Sequence, residues 1–104
     1  MKRIRRQWGF LRSLLDEAKH QTRKDILQHA NKDQINAVSE IVMNTLRGNH
    51  AVPPSVVARL RRYKTPLRQL VRRKDSVLKR RKVLQAQKGS GFWQALKQTC
   101  HYLT

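Results

Sequence analysis

Apolar residues recur along most of this chain at three- and four-residue intervals, the period of a helix with one buried face. Ile4, Trp8, Leu11, Leu15 and Ala18 form one such stripe, with Leu14 beside it. A shorter one follows in Ile26, Leu27 and Ala30, where Thr22 and Asp25 stand at capping-box spacing with Asp in place of Glu. The clearest stripe is Ile35, Val38, Ile41, Val42 and Leu46. Asn31 or Asp33 can cap its start, and Gly48 supplies a left-handed stop. After Pro53-Pro54, with Ser55 as a candidate cap, Val56, Val57, Leu60 and Tyr63 predict a helix over 56–63. Thr65-Pro66 opens the next, with Thr as cap and Pro in the first position, presenting Leu67, Leu70 and Val71. Asp75-Ser76 caps a helix over 77–87. Beyond the Gly89-Ser90-Gly91 break, Phe92, Trp93, Leu96, Tyr102 and Leu103 predict a short amphipathic tail helix. No segment alternates with period two. The predicted fold class is all-α, a small bundle of short helices, and the stripes read as helix-to-helix packing rather than as a cofactor box.

Charge divides this helical chain into segments. The 104 residues carry 24 Lys+Arg against 6 Asp+Glu, a net charge of +18. Residues 1–30 hold a net of +5, residues 31–50 a net of 0, residues 51–88 a net of +12 and residues 89–104 a net of +1. The predicted organisation is therefore an N-terminal helical module (1–48), a proline loop (49–54), a basic helical segment (55–88), and a glycine hinge with an amphipathic tail (89–104). A chain this short and basic repels itself when compact and seeks a polyanion. That argues for a binding protein and against an enzyme with a deep, dry pocket.

The basic segment supplies the candidate nucleic-acid-binding residues Arg59, Arg61, Arg62, Lys64, Arg68, Arg72, Arg73, Lys74, Lys79, Arg80, Arg81 and Lys82. Four consecutive cations, Lys79 to Lys82, point in all directions at about 100° steps on a helix. They cannot share one solvated face beside a core, so they lie along phosphates or stay frayed until neutralised. Arg outnumbers Lys by 8 to 5 in residues 51–88, which suits phosphate forks. A membrane is disfavoured because residues 56–82 lack the broad apolar face of an interfacial helix. Neutralising roughly 6–10 phosphates lowers affinity by about 10³–10⁵ between 50 and 200 mM salt. Site-specific readout is disfavoured, since Gln69 is the one neutral amide in the helix–turn–helix-sized stretch 55–74. A stacking platform for single strands is missing from the basic segment, whose sole aromatic is Tyr63. The runs at 72–74 and 79–82 also fit a nuclear import signal.

Other chemistries find no support. His20, His29, His50 and His101 are dispersed, and the adjacent Cys100-His101 makes neither a metal site nor a nucleophile–base pair. The expectation is no catalytic residue, no metal, no cofactor and no small-molecule substrate. A single cysteine precludes an internal disulfide. No apolar run reaches spanning length. The acid-free first 15 residues fit a mitochondrial presequence in charge, but the apolar phase continues past Asp16 and Glu17, as in a structural helix.

The order of segments resembles a known group. A neutral helix ending in NTLRGN, a proline loop, SVVARLRRYKTPLRQLVRRKDSVLKRRKVLQ, a glycine break and an apolar tail are similar to small basic proteins of polinton-like, adintovirus-like or adomavirus-like elements. These are counterparts of the adenovirus core protein mu and other precursor virion proteins. The resemblance covers about residues 25–96 and is most specific from Leu46 to Leu84. It implies a virion core protein that binds viral double-stranded DNA through phosphates and aids condensation and packaging, in the virion interior and the host nucleus. It also gives Gln87-Lys88-Gly89-Ser90-Gly91 the look of a maturation-protease site cut between Ser90 and Gly91, although Gln87 departs from the aliphatic residue preferred there. A plain hinge is the alternative for this break. For the whole chain the alternatives are a capsid-interior cement protein docking by its tail, and a ribosomal-type RNA-binding protein.

Overall fold

The longest neutral stripe becomes the centre of the molecule. In the computed structural model, which describes residues 2–48, 51–72, 76–89 and 91–103, that stripe is α4 (Lys32–Leu46). Asn31 caps it reciprocally with Gln34: Asn31 Oδ1 accepts from the Gln34 N–H at 2.8 Å, and Gln34 Oε1 accepts from the Asn31 N–H at 2.9 Å. Of the two caps the sequence allowed, Asn31 is used, and Asp33 pairs elsewhere. Ile35, Val38, Ile41 and Val42 are fully buried, and so is Ala37, so α4 is covered on more than one side. Gly48 ends it with φ +85°, a left-handed conformation that glycine adopts without a Cβ penalty.

Among the described residues there are eight α-helices and no strand, so the all-α class is what the chain adopts. Around α4 stand α1 (Lys2–Arg6), α2 (Trp8–Asp16), α6 (Lys64–Val71), α7 (Val77–Gln85) and α8 (Gly91–Leu103), all touching it. The remaining two, α3 (His20–Gln28) and α5 (Pro54–Arg61), pack on α7 and α8 respectively. One core cluster therefore runs from Ile4 to Leu103 and draws side chains from the neutral module, the basic helices and the tail alike.

Several local expectations are corrected. The N-terminal stripe bends at Gln7 (φ −99°, ψ 19°), although Gln7 N–H to Arg3 O and Leu11 N–H to Gln7 O still bridge the bend. Ala18 lies beyond the end of α2 and is exposed. The Thr22–Asp25 box does not form, because α3 begins at His20 and both residues sit inside it. Likewise Ser55 lies inside α5, whose N-cap is Pro53, and Thr65 lies inside α6, whose N-cap is Tyr63. In each case the helix starts one or more residues before the hydroxyl, because a proline-fixed φ or packing organises the first turn instead. Ser76 does cap α7, its Oγ accepting from the Lys79 N–H at 3.2 Å; Asp75 lies outside the described residues.

The tail helix completes the core. Phe92, Trp93, Ala95, Leu96, Thr99, Cys100 and Leu103 are buried at helical spacing. Phe92 meets Tyr63 and Trp93 edge-on, with centroids 5.7 and 5.2 Å apart. Trp93 Nε1 donates to the Gln87 carbonyl at 3.0 Å. Arg23, 5% exposed, lies over the Trp93 ring with its guanidinium carbon 4.6 Å from the centroid. It also donates to the Leu14 carbonyl at 3.4 Å and to the Glu17 carbonyl, tying the α2–α3 turn to α8. Burial draws this guanidinium below the ordinary arginine value, and Glu17 pulls it the other way.

Candidate nucleic-acid interface

The twelve candidate cations part company in the structure. Arg61, at the end of α5, and Lys64 and Arg68, on α6, line a trough of about 270 Å³ floored by Leu46, Leu67 and Val71. Arg68 and Val71 also line an adjoining hollow with Thr65, Gln69 and Arg72. Arg61, Lys64, Arg68 and Arg72 are all exposed and line these two hollows, so they form a cationic strip from the end of α5 along α6. Lys64 and Arg68 share a face because they stand four residues apart on α6, with Arg72 four further on at its C-cap. Arg61 instead reaches the strip from α5 across the Arg62-Tyr63 turn. Arg62, also exposed, sits at the C-cap of α5.

The run at 79–82 behaves differently. Arg80 Nη1 donates to Asn36 Oδ1 on α4 at 2.8 Å, and its Nη2 donates to the Arg72 carbonyl at 2.8 Å. Arg81 Nη2 donates to the Ala30 carbonyl at 2.7 Å, at the end of α3. Both arginines are half-buried, and their Nε atoms are buried without a hydrogen-bond partner among the described residues. Lys79 and Lys82 are exposed. The four consecutive cations thus neither share one face nor fray. Two carry their charge outward, and two satisfy carbonyl and amide oxygens of neighbouring helices, a use that the charge run alone does not reveal.

Arg59 turns away from the trough. Its Nη1 donates to Gln98 Oε1 of α8 at 3.0 Å, and it lines a separate cleft between α2 and α8. Arg73 and Lys74 lie outside the described residues, as do Ser90, one half of the candidate cleavage bond, and His50. Gly91 opens α8, and a Cβ there would collide with the Tyr63 hydroxyl. Gly89 has φ +80°. Both glycines therefore have a conformational or steric reason to be where they are.

The described acids are spent inside the protein. Asp33 accepts from Gln7 Nε2 at 2.7 Å and Arg3 Nε at 3.0 Å, and Arg6 Nε lies 3.4 Å from it. The Gln7 hydrogen bond, helped by Arg3 and Arg6, holds its carboxyl below the usual aspartate value despite partial desolvation. Glu40 accepts from Arg3 at 3.2 Å, and Asp16 pairs with Lys97 at 2.9 Å. Glu17 accepts from the Lys19 N–H at 3.0 Å, and Asp25 accepts from Gln21 at 3.1 Å. No described acid lies in α5, α6 or α7.

Among the described residues no group of three or more His, Cys, Asp or Glu stands together as a metal site would require. Cys100 is 1% exposed, and burial pushes its thiol up to about 11. At pH 7 only about one part in ten thousand would be thiolate, the form that attacks electrophiles. No described helix is long and apolar enough to cross a membrane. The chain matches no protein-family profile, no curated protein and no solved structure.

Proposed function

We propose that this chain is a virion core protein that binds double-stranded DNA non-specifically through its phosphates and aids genome condensation and packaging. One observation carries the reading: α6 and the end of α5 present Arg61, Lys64, Arg68 and Arg72 as one exposed strip without a described carboxylate on α5, α6 or α7. Lys64 to Arg72 covers about 12 Å at 1.5 Å per residue. One DNA strand presents roughly three or four phosphates over that length, at about 3.4 Å of axis each. The strip offers charge but few groups that distinguish bases, Gln69 being its neutral amide. The setting that goes with this reading is the virion interior and, before packaging, the host nucleus.

The cement-protein alternative rests on the tail as a docking helix. Phe92, Trp93, Leu96 and Leu103 are buried against the chain's own α2, α4 and α5, which favours the duplex reading. RNA shares the phosphate chemistry and is separated by experiment.

The test is a salt titration of binding to unrelated 20-base-pair DNA and RNA duplexes, followed by fluorescence anisotropy. About four phosphate contacts give a slope of log K on log salt near −3.6, a loss of about 150-fold between 50 and 200 mM. That is gentler than the full basic segment would give, because Arg80 and Arg81 are occupied and Arg59 faces the separate cleft between α2 and α8. Equal affinity for unrelated DNA sequences is expected. A flat salt dependence, a strong preference for one sequence, or tighter binding to RNA would overturn the proposal.

A further inference from the structure

A cleft of about 610 Å³ lies between α2 and α8 and shares no lining residue with the α6 trough. Trp8 and Tyr102, residues from opposite ends of the sequence, both line it. Trp8 is half-buried against the core, and Tyr102 is 41% exposed. The cleft therefore has aromatic wall area that solvent can reach, which the buried Phe92 and Trp93 do not offer.

Its polar lining is cationic and amide-rich. Arg12, Arg59 and Lys97 face a single carboxylate, Asp16. Lys97 already neutralises that group at 2.9 Å, so two guanidinium charges are left in excess. Gln98 holds Arg59 in place at 3.0 Å, and Gln94 adds an exposed amide, both donor and acceptor. Accessible rings, excess arginine charge and an amide make up the equipment that takes a flat heterocycle attached to a phosphate. An apolar peptide would leave the arginines uncompensated, and a duplex would keep its bases stacked away from the rings.

We propose that this cleft binds an unstacked nucleotide of a single-stranded nucleic acid, its base against Trp8 and Tyr102 and its phosphate beside Arg12 and Arg59. The aromatic platform missing from the basic segment is assembled by the fold from the two ends of the chain. The site does not depend on the duplex reading, since it uses different residues and a different form of nucleic acid.

Trp8 makes the proposal measurable. The other tryptophan, Trp93, is 1% exposed and packed under Arg23, so saturable quenching by a ligand in solution reports Trp8. The full chain is titrated with an eight-nucleotide oligothymidylate and with an abasic oligomer of equal length. The expected result is saturable quenching by the first, and binding weaker by about tenfold for the second, as loss of base stacking predicts. Tyr102→Ala, at an exposed position, should weaken oligothymidylate binding by about tenfold while leaving the urea midpoint unchanged. Arg12→Gln should flatten the salt dependence without abolishing quenching. Equal affinity for the abasic oligomer, an unaltered Tyr102→Ala affinity, or equal quenching by an acidic phenylalanine-containing peptide would each overturn the proposal. Loss of duplex binding with quenching intact would instead count against the core-protein reading alone.

Discussion

Replacing Arg81 by methionine keeps most of the aliphatic stem and removes the guanidinium that donates to the Ala30 carbonyl at 2.7 Å. Arg81 is half-buried, so this charge-assisted bond is worth about 1.5–3 kcal/mol. The same substitution removes a buried Nε that has no hydrogen-bond partner among the described residues, which offsets part of the loss. A net destabilisation of about 1–2 kcal/mol follows, and Tm falls by about 4–8 °C per kcal/mol in a domain of this size. Arg68→Met is the matched control, because Arg68 is exposed in the α6 trough. It should change stability by less than about 0.5 kcal/mol and make the salt slope of duplex binding shallower by about 0.9. Urea unfolding followed by circular dichroism gives the first quantity, and anisotropy at a series of salt concentrations gives the second. If Arg81→Met left stability unchanged and flattened the slope, Arg81 would be a phosphate ligand, and the division of the basic run into structural and outward cations would be wrong.

Two further substitutions probe the packing and the ion cluster. Gly91→Ala should destabilise by about 1–3 kcal/mol, because its Cβ meets the Tyr63 hydroxyl and Tyr63 is itself packed on Phe92; adding Tyr63→Phe should recover most of that loss in urea unfolding, and independent, additive effects would refute the clash. Asp33 has a folded-state value below the ordinary 3.8, so its stabilisation is fully present above that pH and is lost as pH falls through the lowered value. Asp33→Asn should therefore be less stable than the parent at neutral pH and equal to it at the acid end, and a difference that stayed constant from pH 7 to pH 2 would contradict the pairing with Gln7, Arg3 and Arg6.

Periodicity carried the helices, and the reason is visible in α4. Ile35, Val38, Ile41 and Val42 are as buried as their spacing requires, and Asn31 and Gly48 cap and stop the helix by local chemistry that needs no tertiary partner. Helix starts were less legible wherever the first turn is set by something other than a hydroxyl, as at Pro53 and Tyr63. The candidate site divides in the same way. Lys64, Arg68 and Arg72 lie on one strip because their spacing along α6 is helical, and Arg61 joins them only through the turn between α5 and α6. Arg80 and Arg81 lie off it because α3 and α4 bring the Ala30 carbonyl and Asn36 to them across 51 and 44 residues of sequence. Nor does spacing bring Trp8 and Tyr102 to one cleft; only the packing of α2 on α8 does that.

That packing also explains how a chain of +18 closes up. Its radius of gyration, 12.4 Å, is near the value of about 13 Å for a folded chain of this length. The described acids sit on α2, α3 and α4 and in the turn after α2, where they hold Arg3, Arg6 and Lys97 or backbone and amide donors. Among the cations of the basic segment, Arg80 and Arg81 are led inward to carbonyl and amide oxygens, whereas Lys64 and Arg68 point outward on α6. The outward group is not neutral in its effect: Lys64, Arg68 and Arg72 follow one another at four-residue spacing, and each like-charged pair of that kind costs about 0.2–0.5 kcal/mol. Salt screens that repulsion and equally screens the attraction of the strip for phosphate. The free protein and its complex with a polyanion therefore respond to salt in opposite senses. A surface shaped only for solubility would interleave the two signs and avoid the repulsion. Keeping four cations on one strip costs the free fold stability, and the phosphate partner proposed above would offset that cost.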